Sequence, residues 1–171
     1  MFDHFKDTMR LPDFTEHNWT SELRKYRGFP EYRADAAADF IYEDKYGRLT
    51  ELFFGSVCVQ RWYGHYPTYY MEVKATTGVV NEAFHMSPRQ LDAVCLEALI
   101  TEASSSYCCL QARDMSREAE EGLSPPRRVY VLLRVWSVAS EPRFRAYRDP
   151  WRLLCDGRMR HVSDVDLVIF P

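Results

Sequence analysis

The chain is short of every feature that would place it in a membrane or across one. No stretch approaches the roughly 18 consecutive apolar residues of a spanning helix. The opening Met1-Phe2-Asp3-His4-Phe5-Lys6-Asp7 has no apolar signal core. The expectation is an intracellular protein, nuclear or cytoplasmic, with no membrane partner. Cysteines are few and unpaired in pattern: Cys58, Cys95, Cys108, Cys109 and Cys155 are an odd number without CxxC spacing. That argues against a disulfide framework and a structural zinc site. The five histidines, at 4, 17, 65, 85 and 161, show no helical or hairpin metal-ligand spacing, which argues against a zinc hydrolase. The seven glycines are dispersed, so neither a phosphate-cradling loop nor a Gly-x-Ser-x-Gly elbow is present. Nucleotide hydrolysis by a glycine-rich loop and serine-dependent acyl transfer are therefore disfavoured. Internal repeats and low-complexity segments are lacking too.

What is present is a globular composition. With 171 residues, 46% hydrophobic and 15% aromatic, the chain can bury a sizeable core as one domain spanning 1–171. The net charge of −3 does not suit a protein that coats nucleic acid non-specifically. Charge is nevertheless uneven: residues 127–160 hold nine arginines against Glu141, Asp149 and Asp156. This stretch reads as a solvated basic face or as a phosphate-binding track.

Element signals can be read along the chain. Asn18 is a good N-cap, and Gly28 and Pro30 follow, predicting a first helix over 18–26. Residues 39–42 predict a strand, with 44–47 as its turn, and residues 52–59 a second strand, although the first half of that stretch also suits a helical turn. Residues 69–75 predict a third. Ser87-Pro88-Arg89-Gln90 supplies an N-cap, a first-turn proline and a capping-box glutamine, and Leu91, Val94, Cys95, Ala98 and Leu99 then form a buried helical stripe. Residues 102–126 predict a surface loop with a helical turn at 117–121. Residues 129–136 are a near-continuous apolar run, hence a central strand covered on both faces. A short helix from Asp149-Pro150 to Gly157 and a strand or extended tail at 165–170 complete the reading. The fold class expected is α/β, a mixed central sheet flanked by helices in three layers.

The sharpest chemical signal is Tyr70-Met71-Glu72-Val73-Lys74-Ala75. On a strand, Glu72 and Lys74 share a face. A carboxylate and an ammonium so placed serve a metal-dependent phosphodiester hydrolase, the acid holding a divalent ion and the amine positioning water or offsetting developing charge. The same spacing also describes an ordinary ion pair on a strand. The aromatic group Trp62, Tyr63, Tyr66, Tyr69 and Tyr70 reads as core, as a partner interface, or as a base-stacking surface.

With Asn18-Trp19-Thr20-Ser21-Glu22-Leu23-Arg24, Ala38-Asp39-Phe40-Ile41-Tyr42, Gly47-Arg48-Leu49-Thr50, the Glu-Val-Lys segment through Gly78, Phe84-His85-Met86-Ser87, residues 129–136 and Asp149-Pro150, the chain resembles the NO VEIN C-terminal-like domain of large fungal proteins. More broadly it resembles the PD-(D/E)xK nuclease-like superfamily. Met71 before the glutamate and Ala75 after the lysine depart from the family pattern but spare the charged positions. The resemblance implies a restriction-endonuclease-like αβββαβ core with C-terminal additions, as the C-terminal module of a longer protein. It implies Asp39 and Glu72 as metal-binding acids, Lys74 as catalytic lysine, and Gln90 as a further site candidate, with Mg or Mn as cofactor and nucleic acid as substrate. Glu22 is an additional acid that some members place on the first helix. If the 32 residues between Asp39 and Glu72 displace the first acid, Glu43, Asp44 or Glu51 would take its place. The alternative reading is a non-catalytic protein-interaction or dimerisation module that keeps the same fold. An open cleft at the three charged residues would favour the first reading. A buried signature with an exposed apolar patch would favour the second.

Overall fold

In chain order the elements are three short N-terminal helical turns, β1 (Phe40–Glu43), α1 (Arg48–Phe54), α2 (Ser56–Arg61), β2 (Thr68–Ala75), β3 (Phe84–Met86), β4 (Arg128–Trp136), β5 (Arg143–Arg148), α3 (Pro150–Cys155), β6 (Arg160–His161) and β7 (Leu167–Phe170). This is a computed structural model, and it describes residues 1–32, 38–87, 90, 125–148, 150–161 and 167–170. The stripe expected over 91–99, the loop and helical turn over 102–124, Cys95, Cys108, Cys109 and Asp149 lie outside the described residues.

β1, β2, β4 and β5 form a four-stranded mixed sheet in the order β1-β2-β4-β5. β2 is antiparallel to β1 and parallel to β4, and β5 runs antiparallel to β4. A second, three-stranded sheet is ordered β3-β7-β6. The apolar run of β4 behaves as its composition predicts: Val131, Leu132 and Leu133 are all fully buried, so both faces are covered.

Alternation divides the core between the two faces. On one, Tyr69, Met71, Val131 and Leu133 pack with Phe40, Tyr42, Leu49, Phe53 and the N-terminal aromatics Phe2, Phe5, Phe14 and Trp19. On the other, Tyr130 and Leu132 pack with Ala38, Phe84, Met86 and Met159. The second face therefore carries Glu72 and Lys74. The chain is mixed α/β, as expected, with one outer layer containing the small sheet.

Two predicted elements need correction. Residues 52–59 form no strand; they belong to α1 and α2. The buried Asp44 carboxylate decides this, accepting the N–H of Arg48 at 2.8 Å, the N–H of Thr50 at 2.7 Å and the Thr50 hydroxyl at 2.8 Å, so that the first turn is capped from upstream. Leu49 and Phe53 then bury on one helical face, and Gly55, at φ +84°, separates the two helices. The first helix does not start at Asn18. Trp19 bridges to Phe40, and the Thr20 N–H donates to the Asp39 carbonyl, which holds this segment extended. Asn18 instead completes a capping box with Thr15, and Ser21 caps the short 3-10 helix Glu22–Arg27. The strands β3, β5 and β6 add to those the sequence predicts.

Candidate functional site

Pairing of β1 with β2 sets the site. Phe40 faces Met71 across the two strands, so Asp39, one residue before β1, comes beside Glu72 and Val73. Asp39 Oδ2 accepts the Val73 N–H at 2.9 Å. The main chain of Asp39 is itself anchored, its carbonyl accepting the N–H groups of Thr20 and Ser21. The helices α1 and α2 fit within the chain between the two acids, so the 32 intervening residues do not displace the first acid.

Glu72 and Lys74 share a face as the alternation requires, with Lys74 Nζ 2.9 Å from Glu72 Oε1. Gln90 bridges them. Its Nε2 donates to Glu72 Oε1 at 2.5 Å, and its Oε1 accepts from Lys74 Nζ at 2.9 Å. The same Oε1 accepts the Ser87 N–H, and Ser87 Oγ accepts the Gln90 N–H, so the predicted capping box is formed. The glutamine that caps the segment also holds the acid and the amine.

Glu72 is 3% exposed and the Lys74 side chain 16%. Burial pushes the Glu72 carboxyl up to about 7, and the Asp39 charge pushes the same way. Lys74 and a hydrogen bond from the Asp39 main chain act against this without cancelling it. Tyr130, on β4, is raised well above the usual phenol range by burial first and then by the charges of Glu72 and Asp39. It stays a neutral phenol at the floor of the site.

Arg134 is the other buried polar residue here. Its register partner on β2 is Lys74. Its guanidinium donates to the carbonyls of Lys74 at 3.1 Å, Glu82 at 2.9 Å and Val80 at 3.4 Å, and it lies over the Phe84 ring. It therefore ties the connection after β2 back onto the sheet. Sequence reasoning passed over Tyr130 and Arg134 because both sit in an apolar run. The signal was their spacing, which puts the two polar residues on the same face as Glu72.

The other candidates lie elsewhere. Asp44 is fully buried on α1 capping duty, against Thr50 and, through the Thr50 hydroxyl, Tyr69 on the opposite face. Glu43 and Glu51 are exposed. Glu22 is exposed on the 3-10 helix and outside the hydrogen-bonded cluster. In the aromatic group, Tyr69 and Trp62 are core, Tyr66 donates to the Val59 carbonyl, and Tyr63 is exposed. Tyr70 reaches the site face, under Arg128.

A divalent oxygen-liganded cation suits this donor set better than zinc. Among the described residues no group of three or more His, Cys, Asp or Glu side chains is placed to hold a metal. Two neighbouring carboxylates are present, and magnesium takes one or two and keeps several waters. The mutual repulsion that helps raise Glu72 is of the kind that a cation held by both acids would relieve.

No protein-family model matches the chain, and neither a curated protein nor a solved structure matches it. Among the described residues no helix is long and apolar enough to cross a membrane.

Proposed function

We propose that the chain is a metal-dependent nuclease-like domain of the NO VEIN C-terminal-like type, acting on phosphodiesters through Asp39, Glu72 and Lys74. The observation that carries this reading is the convergence of the two acids and the lysine across β1 and β2, with Gln90 clamping Glu72 and Lys74. On this reading the antiparallel β1-β2 pair and the parallel β2-β4 pair belong to a restriction-endonuclease-like αβββαβ core.

Asp39 and Glu72 would hold Mg²⁺ or Mn²⁺, which when bound supplies Lewis-acid stabilisation of the phosphoryl oxygens. Lys74 orients the attacking water and offsets charge developing on the phosphate. Gln90 keeps the ammonium and the carboxylate at fixed separation. Tyr130, neutral and buried, lies near the two acids on the same face of the sheet.

Calorimetric titration with Mn²⁺ and Mg²⁺, together with a cleavage assay on DNA and RNA, tests this. Binding and cleavage that both disappear in Asp39→Ala and Glu72→Ala support it. No metal binding by the wild-type protein refutes it.

A second reading, a non-catalytic interaction module on the same framework, is favoured by one observation: Glu72 and Lys74 are largely buried and already paired with each other. Leu52, Val57 and Tyr63, exposed on and after α1 and α2, would then supply contact area for a protein partner or a second copy. Metal-independent self-association, lost on Val57→Asp, distinguishes it.

A further inference from the structure

The register of the main sheet extends the site sideways. Lys74 pairs with Arg134, and Arg134 with Arg145, so the three residues share one face in a single row. Neighbouring strands lie about 4.8 Å apart, which puts Arg145 on β5 about 10 Å from Lys74 along the row. Arg143 sits two residues away on β5 and on the same face, paired with Trp136. Arg134 is buried under the β2–β3 connection, its guanidinium donating to three carbonyls, whereas Arg143 and Arg145 are exposed.

The nine arginines of residues 127–160 do not form one patch. Arg148 turns to the opposite face, over Phe54, and Arg128 lies over Tyr70 at the other end of the site face. Arg143 and Arg145 are the exposed pair on the site face beside Lys74. Among the described residues no carboxylate lies within ion-pair distance of Arg145. Arg143 pairs with Glu141 at 3.0 Å, but the two side chains are 64% and 80% exposed, and such a pair exchanges readily for a phosphate.

β5 is also the outer strand of its sheet. A second copy pairing along it would set two arginine-bearing edges against each other, and like charges across a strand pair are destabilising. An anionic partner suits this edge better than a second copy does. Two arginines whose Cα atoms lie about 7 Å apart along the strand, each able to grip phosphate oxygens in a planar fork, suit a repeating phosphate backbone.

We propose that Arg143 and Arg145 form a phosphate-backbone track on β5, across the β2–β3 connection from Lys74, that holds a nucleic-acid strand. This rests on the nuclease reading of the neighbouring acids. The track positions the strand and reads no bases.

The test is fluorescence anisotropy with short labelled single-stranded and duplex oligonucleotides, using the full chain in chelator so that no cleavage intervenes. Arg143→Ala/Arg145→Ala is expected to bind at least about fivefold more weakly at low salt, and to lower the slope of log K against log salt by about 2 on duplex or about 1.4 on a single strand. Arg143→Lys/Arg145→Lys should recover most of the affinity. Both positions are exposed, so the thermal midpoint should not move. An unchanged affinity and salt slope in the alanine variant overturns the track, even if the protein cleaves nucleic acid. Wild-type binding that depends on both arginines, without cleavage when Mn²⁺ is supplied, supports the track and removes the nuclease reading. No oligonucleotide binding by the wild type overturns the track, as does tighter, arginine-dependent binding of polyglutamate.

Discussion

Replacing Glu72 with glutamine removes a carboxylate that the fold has buried beside another acid, and its consequence for stability can be worked out from the geometry. The carboxyl ordinarily titrates near 4.5 and in the folded chain near about 7. Between those values the native state holds a proton that the unfolded chain has released. Stability therefore falls as pH rises through this window. The gap, at about 1.36 kcal/mol per pH unit, comes to about 3 kcal/mol. The wild type should lose about that much relative to Glu72→Gln between pH 4 and pH 8, with the difference level at both ends. Urea unfolding of the two proteins across this range, extrapolated to water, gives the difference curve directly.

Two companion variants separate the causes. Asp39→Asn takes away the like charge, so the fall should become smaller and end at lower pH. Lys74→Met takes away the opposing ammonium, so the fall should grow larger and extend to higher pH. A difference curve between the wild type and Glu72→Gln that is flat from pH 4 to pH 8 would refute the reasoning, because it would mean that Glu72 ionises as freely in the fold as outside it. Mn²⁺ in the buffer supplies a further check on the proposed function. Binding to the ionised acids should stabilise the wild type most above pH 7 and leave Glu72→Gln nearly unaffected.

Other substitutions test the supports of the site. Asp44→Ala strips three hydrogen bonds from the start of α1 and should cost about 2–4 kcal/mol in chemical denaturation, while the folded fraction keeps whatever metal stoichiometry the wild type shows. Arg134→Met leaves the carbonyls of Lys74, Val80 and Glu82 without their donor and should raise hydrogen exchange over residues 76–82 while β1 stays protected. Gln90→Ala releases both Glu72 and Lys74, and calorimetry should show weaker Mn²⁺ binding with little loss of thermal stability beyond the cost of one capping contact, about 1 kcal/mol. Leu133→Ala opens a fully buried position of the central strand and should cost about 2–5 kcal/mol.

The central strands were legible because their signals are local. The run over β4 contains enough consecutive apolar residues to require cover on both faces, and the period of two along β2 places Glu72 with Lys74 whatever the rest of the chain does. The capping box at Ser87 and Gln90 was legible for the same reason. Residues 52–59 were misleading because phenylalanine and valine suit a strand, and only Asp44, a cap buried by tertiary packing, turns them helical. Asn18 was misleading because a capping residue does not reveal which turn it caps, and the bridge from Trp19 to Phe40 excludes a helix there. β5 was hidden by its arginines, which alternate with Phe144 and Ala146 and lower the apolar signal of an edge strand.

Asp39 is the instructive case, because no local pattern singles it out. Its partnership with Glu72 depends on a register set by four residue pairs between β1 and β2, across two helices that the sequence signals as a strand. That partnership bears on the choice between the two functional readings. A structural ion pair needs only Glu72 and Lys74. Asp39 adds a second carboxylate to the same pocket, raises Glu72 further, and is held there by the Val73 N–H and by an anchored main chain. Holding a second carboxylate beside the buried pair costs stability once Glu72 is ionised, and the Val73 N–H that Asp39 accepts is only a small structural reason for it. On the nuclease reading a cation between the acids would supply a larger one. Asp39→Asn therefore discriminates where Glu72→Gln does not. On the interaction-module reading it should raise stability above pH 7 and leave every binding property intact. On the nuclease reading it should raise the metal-free stability in the same way while abolishing calorimetric Mn²⁺ binding and cleavage.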